Sequence, residues 1–180
     1  MKLLLVRHGQ TDYNKAKRPQ GQEIDAPLNE TGVQQAEDAA RSLPHGIDFI
    51  ISSPLKRAAQ TAEILNKKLN VEIEYSDHIK ELRYGSLAGK TWPEIEALMG
   101  DLEAHQKDQD VRFDYRAFGG DSALDLEQRV MKFVREMQEK YPDKTILVAT
   151  HGGVIDAMHV LYPRKERAVT DNASIHEFDF

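Results

Sequence analysis

A chain of 180 residues, 40% hydrophobic and 30% charged, suits one folded domain with a sizeable core and excludes a disordered one. Its net charge of −6 argues against a general nucleic-acid binder, and the absence of cysteine removes disulfides, thiolate metal sites and cysteine nucleophiles. No apolar stretch approaches the roughly eighteen residues of a membrane span, and the N-terminal apolar run is too short for a signal peptide, so a cytoplasmic protein without a membrane partner is expected.

Leu3 to Val6 is an unbroken apolar run, as in a strand buried on both faces of a parallel sheet, and it stops at Arg7-His8-Gly9. The next stretch, 10–29, is punctuated by Pro19, Gly21 and Pro27 and reads as a loop over the end of the sheet. Thr31 to Gln34 has the form of a capping box, opening a helix with Val33, Ala36, Ala40 and Leu43 on its apolar side. Phe49 to Ile51 is a second buried strand. Ser53 reads as an N-cap and Pro54 as the first residue of a helix carrying Ala58, Ala62, Leu65 and Leu69 on one face.

Val71 to Tyr75 alternates apolar and charged residues, as a strand near the sheet edge does. Thr91 and Glu94 cap a short helix through Met99, and the segment from about 90 to 119 is expected to form a lid in which Trp92 packs. Ser122 opens a long helix with Leu126, Val130, Phe133, Val134, Met137 and Tyr141 as its buried stripe, stopped at Pro142. Thr145 to Ala149 is another buried run and ends in Thr150-His151-Gly152-Gly153. A helix with Val154, Ile155, Met158 and Leu161 follows, and Ala173 to Phe180 closes the sheet. The alternation of strand and helix predicts a three-layer α/β/α sandwich around a central, mainly parallel mixed sheet, in a single domain.

In open α/β sheets ligands sit beyond the carboxyl ends of the strands. If the three buried strands are parallel, Arg7, His8, His151 and a helix start bearing Arg57 converge there. Helix N-termini and guanidinium groups both favour anions. In a chain of net charge −6 this is the pattern of a phosphate pocket. Other signals fall away. The Gly85 to Thr91 stretch has three residues between its glycines where a P-loop needs four, and no apolar strand precedes it. His151 and His159 are too far apart to share a metal, and His45, His78, His105 and His176 read as surface residues. No Gly-x-Ser-x-Gly occurs.

The chain resembles the histidine phosphatase superfamily, in its phosphoglycerate-mutase-like branch. The resemblance rests on Leu4 to Asn14 (LLVRHGQTDYN), Arg18 to Ala36, Ser52 to Ala62 (SSPLKRAAQTA), Lys80 to Gly89 (KELRYGSLAG), Ala149 to Ile155 (ATHGGVI) and Asn172 to Ile175. It implies that His8 attacks phosphorus and forms a phosphohistidine. It likewise implies that Arg7, Asn14, Arg57 and His151 hold the phosphoryl oxygens, with Gln20, Gly21 and Gly152 at the same pocket. Glu81 matches the family's general acid. No metal or other cofactor is implied, and the oligomeric state is left open. Two residues depart from the common pattern: Ala88 where many relatives have glutamate, and Asp156 where arginine is common. Both bear on the pocket rim. Three readings follow: a phosphatase acting on small phosphate monoesters, a phosphoglycerate mutase, or a silent module that binds phosphorylated ligands. The short chain and the Gln20-Gly21 loop favour the phosphatase, and the presence of His8, Arg57, Glu81 and His151 disfavours the silent module.

Overall fold

The computed structural model describes residues 1–100, 113–163 and 169–180. Five strands form one sheet: β1 (Lys2–Arg7), β2 (Phe49–Ser52), β3 (Ile73–Tyr75), β4 (Thr145–Thr150) and β5 (Ile175–Asp179), in the order β3-β2-β4-β1-β5. All neighbours are parallel except β5, which runs antiparallel to β1. Successive side chains of a strand point to opposite faces, so each buried run feeds two cores. Leu3, Leu5, Ile146, Val148 and Ile51 face one layer, and Leu4, Val6, Leu147, Ala149 and Ile50 face the other. That is why these runs read as continuously apolar rather than alternating.

One layer holds α2 (Glu30–Ser42) and α3 (Lys56–Leu69); α1 (Asp12–Lys15) is a single turn after β1. Beyond the short α4 (Trp92–Met99), the other layer holds α5 (Ala123–Lys140) and α6 (Gly152–Leu161). The buried stripe of α5 is the expected one, except that Tyr141 is half-buried just past the helix end. Ser122 with Asp125, and Thr91 with Glu94, form reciprocal capping boxes.

Some local expectations are corrected. Helix α2 is capped by Asn29, whose side chain accepts from Gly32 N at 2.9 Å, so it starts before Thr31, and Val33 faces solvent. Helix α3 begins at Lys56 behind Leu55, with no side-chain cap, and Ser53 is engaged elsewhere. His176 is buried rather than exposed, its ring 2.9 Å from His159. Part of the expected lid, residues 101–112 with His105, lies outside the described residues. Among the described residues no helix is long and apolar enough to cross a membrane.

Candidate active site

Strand register decides where the site lies. Arg7 pairs with Thr150 at the carboxyl ends of β1 and β4, so His8 and His151 are the next residues on two adjacent parallel strands. Their ring centroids are 5.2 Å apart, and both residues are buried. The His8 amide donates to Thr150 O at 2.9 Å, carrying the ladder one residue past the strands.

His8 is held in one tautomer. Its Nδ1–H donates to Gly9 O at 2.7 Å, which places the lone pair on Nε2. Arg57 Nε donates to that Nε2 at 3.3 Å. Burial pushes the His8 pKa well below its usual value, and the charges of Arg57 and Arg7 add to the effect, so the ring is neutral. His151 is lowered in the same way, first by burial and then by Arg57. Ser53 Oγ lies 2.8 Å from His151 Nε2 and accepts from Leu55 N at 3.3 Å. If Ser53 gives its proton to Nε2, the neutral His151 ring carries its own on Nδ1, a buried atom without a partner among the described residues.

Arg57 stands in the first turn of α3 and is 1% exposed. Its Nη2 donates to Gly21 O at 2.8 Å and its Nη1 to Ile24 O at 3.1 Å, so the loop expected over the sheet end is pinned to the guanidinium. Gly21 has φ +57, and its amide plane can face Arg57 because no side chain resists that conformation. Arg7 donates through Nη1 to Thr170 O at 2.6 Å, while its buried Nε has no protein partner among the described residues. Gly9 matters for its lack of a side chain: a Cβ there would overlap the Gly32 carbonyl in α2. Its amide donates to Thr61 Oγ1 at 3.1 Å.

A cavity of about 370 Å³ joins these groups. Arg7, His8, Asn14, Gln20, Gly21, Arg57 and Glu81 all line it, so the structure brings together most of the residues expected at the pocket. His151 sits behind His8, and Gly152 faces Arg7 from the start of α6. Asn14 Oδ1 accepts from Thr11 N and Thr11 Oγ1, which leaves its NH₂ to donate. Glu81 accepts from Leu82 N at 3.0 Å and from Gly153 N at 3.3 Å. Trp92, expected in lid packing, makes an edge contact with Tyr84 and also lines the cavity.

Sequence reasoning missed several contributors. Asn172 Nδ2 donates to His8 O at 3.0 Å, and Ala173 N to Arg7 O at 3.1 Å, so the turn before β5 is a wall of the site. Ser53, Thr61 and Thr170 reach His151, Gly9 and Arg7 across long stretches of sequence, and nothing local marks those contacts. Among the described residues no group of three His, Cys, Asp or Glu is placed to hold a metal ion. Chemically, the arrangement offers a neutral imidazole nitrogen inside a ring of cationic and neutral donors, with one carboxylate at the edge.

Sheet order, crossing helices and two strand-end histidines together define a three-layer α/β protein with an imidazole-centred anion site. The chain belongs to the histidine phosphatase superfamily (branch 1), whose family model matches residues 3–180. It is 35% identical over 156 residues to the uncharacterized phosphatase PhoE of Bacillus subtilis (strain 168), covering 86% of this chain and 73% of that protein. It is 36% identical over 163 residues to the metal-independent phosphoserine phosphatase of Arabidopsis thaliana, covering 88% and 67%. Among solved structures, mycobacterial glucosyl-3-phosphoglycerate phosphatase in complex with VO3 superposes with a TM-score of 0.80 at 30% identity, covering 98% of this chain and 91% of that one.

Proposed function

We propose that this protein hydrolyses phosphate monoesters of small metabolites through a phosphohistidine on His8. The observation that carries the reading is the His8 ring: neutral, fixed by Gly9 O, with its lone pair on Nε2 at the cationic cavity. Nε2 forms the bond to phosphorus as the bond from phosphorus to the leaving oxygen breaks. Arg7, Arg57, Asn14 and the His151 Nδ1–H donate to the phosphoryl oxygens, with Gln20, Gly21 and Gly152 shaping the pocket. Such a transfer depends mainly on positioning and on stabilising charge. These groups supply both, so the reaction needs no metal.

Protonated Glu81 gives its proton to the departing oxygen, and the alcohol leaves. Glu81 then takes a proton from water as the water oxygen attacks phosphorus, which releases inorganic phosphate and restores His8. A cytoplasmic setting and a single catalytic domain belong to the same proposal. Relatives named for phosphoserine and for glucosyl-3-phosphoglycerate put esters of that kind first in a substrate screen.

Rapid quenching after brief reaction with substrate should trap an acid-labile, base-stable phosphoenzyme, absent from His8→Ala. Inorganic phosphate should accumulate, and 3-phosphoglycerate should not be isomerised efficiently. Label on an aspartate or serine, or fast isomerisation with negligible phosphate release, overturns the reading.

A further inference from the structure

The stretch that delivers Glu81 leaves a single 3-10 turn, Asp77–Ile79, and its backbone carbonyls are held one after another. Arg129, on the inner side of α5, donates from Nη1 to His78 O at 3.1 Å and to Lys80 O, and from Nη2 to Glu81 O at 3.2 Å. Thr150 Oγ1 takes the remaining carbonyl, Ile79 O, at 2.8 Å, and Gln22 Nε2 adds a second bond to Glu81 O at 2.7 Å. Just beyond, Asp121 accepts from Arg83 N and Nε at 2.9 Å each, and its own amide donates to Arg83 O.

Arg129 is not at the cavity wall. Its side chain is 20% exposed, with Asp121 as its carboxylate neighbour at 3.9 Å. Burial lowers its pKa, and the charges of Asp121 and Glu81 oppose that shift. Among the described residues the Glu81 carboxylate is held only by two backbone amides, Leu82 N and Gly153 N. Its location therefore follows the backbone of 78–82, and three of the four carbonyls from 78 to 81 are set by one guanidinium. A fork of fixed donors suits this task where a lysine's single ammonium does not.

We propose that Arg129 is a positioning residue for the acid step: it fixes the main chain so that the Glu81 carboxyl meets the leaving oxygen. The inference rests on Glu81 being the general acid. A displacement of about 1 Å in such a group can cost on the order of a hundredfold in rate. An alkyl phosphate, whose alkoxide leaves badly, needs the proton; a p-nitrophenyl ester leaves as a stabilised anion and needs it much less.

The test is the pre-steady-state rate of phosphoenzyme formation for both esters in Arg129→Met, Arg129→Lys, Glu81→Gln and the Arg129→Met/Glu81→Gln double variant. Arg129→Met should lose roughly tenfold to a hundredfold with the alkyl ester and less than about threefold with the p-nitrophenyl ester. Inhibition by inorganic phosphate should stay within about twofold, because the groups proposed to hold phosphate are untouched. Arg129→Lys should recover part of the alkyl rate. In the Glu81→Gln background the further loss should be under about threefold, since the two residues act as one unit.

Equal losses on both esters, or a full additional loss on top of Glu81→Gln, overturn the proposal. If Glu81→Gln itself does not discriminate the esters, the acid role falls and this proposal with it. If Glu81→Gln discriminates and Arg129→Met does not, only the positioning role falls. Should Arg129→Met fail to fold, Arg129→Lys carries the same comparison, and an unselective loss there overturns the proposal.

Discussion

Neutral histidines in the interior make folding depend on pH in a way that can be measured. His8 and His151 are both held well below the ordinary imidazole value of 6.5, chiefly by burial, with Arg57 adding to each. In the unfolded chain each ring takes up a proton as the pH falls through about 6.5, while in the fold it does not. The unfolded state then binds more protons, so stability rises with pH in this range. The contribution is fully present above 6.5 and is lost progressively as the pH falls from there toward the lower folded values. Each ring supplies a slope of up to about 1.4 kcal/mol per pH unit, or at most about 2 kcal/mol between pH 7 and 5. Urea unfolding at fixed ionic strength from pH 5 to 8 reads it directly. His8→Asn and His151→Asn should each flatten the pH dependence of unfolding free energy by one such slope. Carboxylates and other histidines cancel in the difference between wild type and variant. Parallel curves for wild type and both single variants would refute the argument that these rings are buried neutral.

Other outcomes follow from single contacts. Thr61 Oγ1 accepts from Gly9 N and donates to Arg57 O at 2.7 Å, so Thr61→Val, equal in shape, should cost about 1–3 kcal/mol of stability through the stranded Gly9 amide, read as a lower urea midpoint. Gly9→Ala should destabilise by a similar or larger amount and also slow phosphoenzyme formation, because α2 must move away from the new methyl. Activity should survive exhaustive chelation, and restoration of a lost rate by added magnesium or zinc would contradict the metal-free proposal. Asn172→Ala should weaken the hold on His8 O and lower phosphoenzyme formation several-fold while leaving the fold intact, measured by rapid quench beside far-UV circular dichroism.

What could be read from the sequence was whatever depends on near neighbours or on burial. Leu3–Val6 and Thr145–Ala149 declare themselves as central strands because each residue must be apolar when both faces are covered, and the histidines follow them directly. Thr91 and Ser122 were legible as caps because a capping box closes within four residues. Thr31 misled because Asn29, two residues earlier, competes for the same helix start. Ser53 misled for a different reason: its residue type suits a cap, but its hydroxyl meets His151, 98 residues away. His176 gave no local sign of burial, since its partner is His159 on another element. Arg129 is one of several charges on a long amphipathic helix, and only the fold shows three carbonyls in front of it.

The two histidines are carried on the innermost strands, β1 between β4 and β5, and β4 between β2 and β1. Leu4, Leu5, Leu147 and Val148 there are at most 2% exposed and have a paired strand on either side. Their amides should exchange with solvent deuterium only when the whole molecule opens, whereas the rim that bears Trp92 on the short α4 has far fewer ties and should exchange through small local openings. The site thus spans two regimes of motion. The imidazoles keep their separation for as long as the protein is folded, and the rim can rearrange around different alcohols without disturbing them.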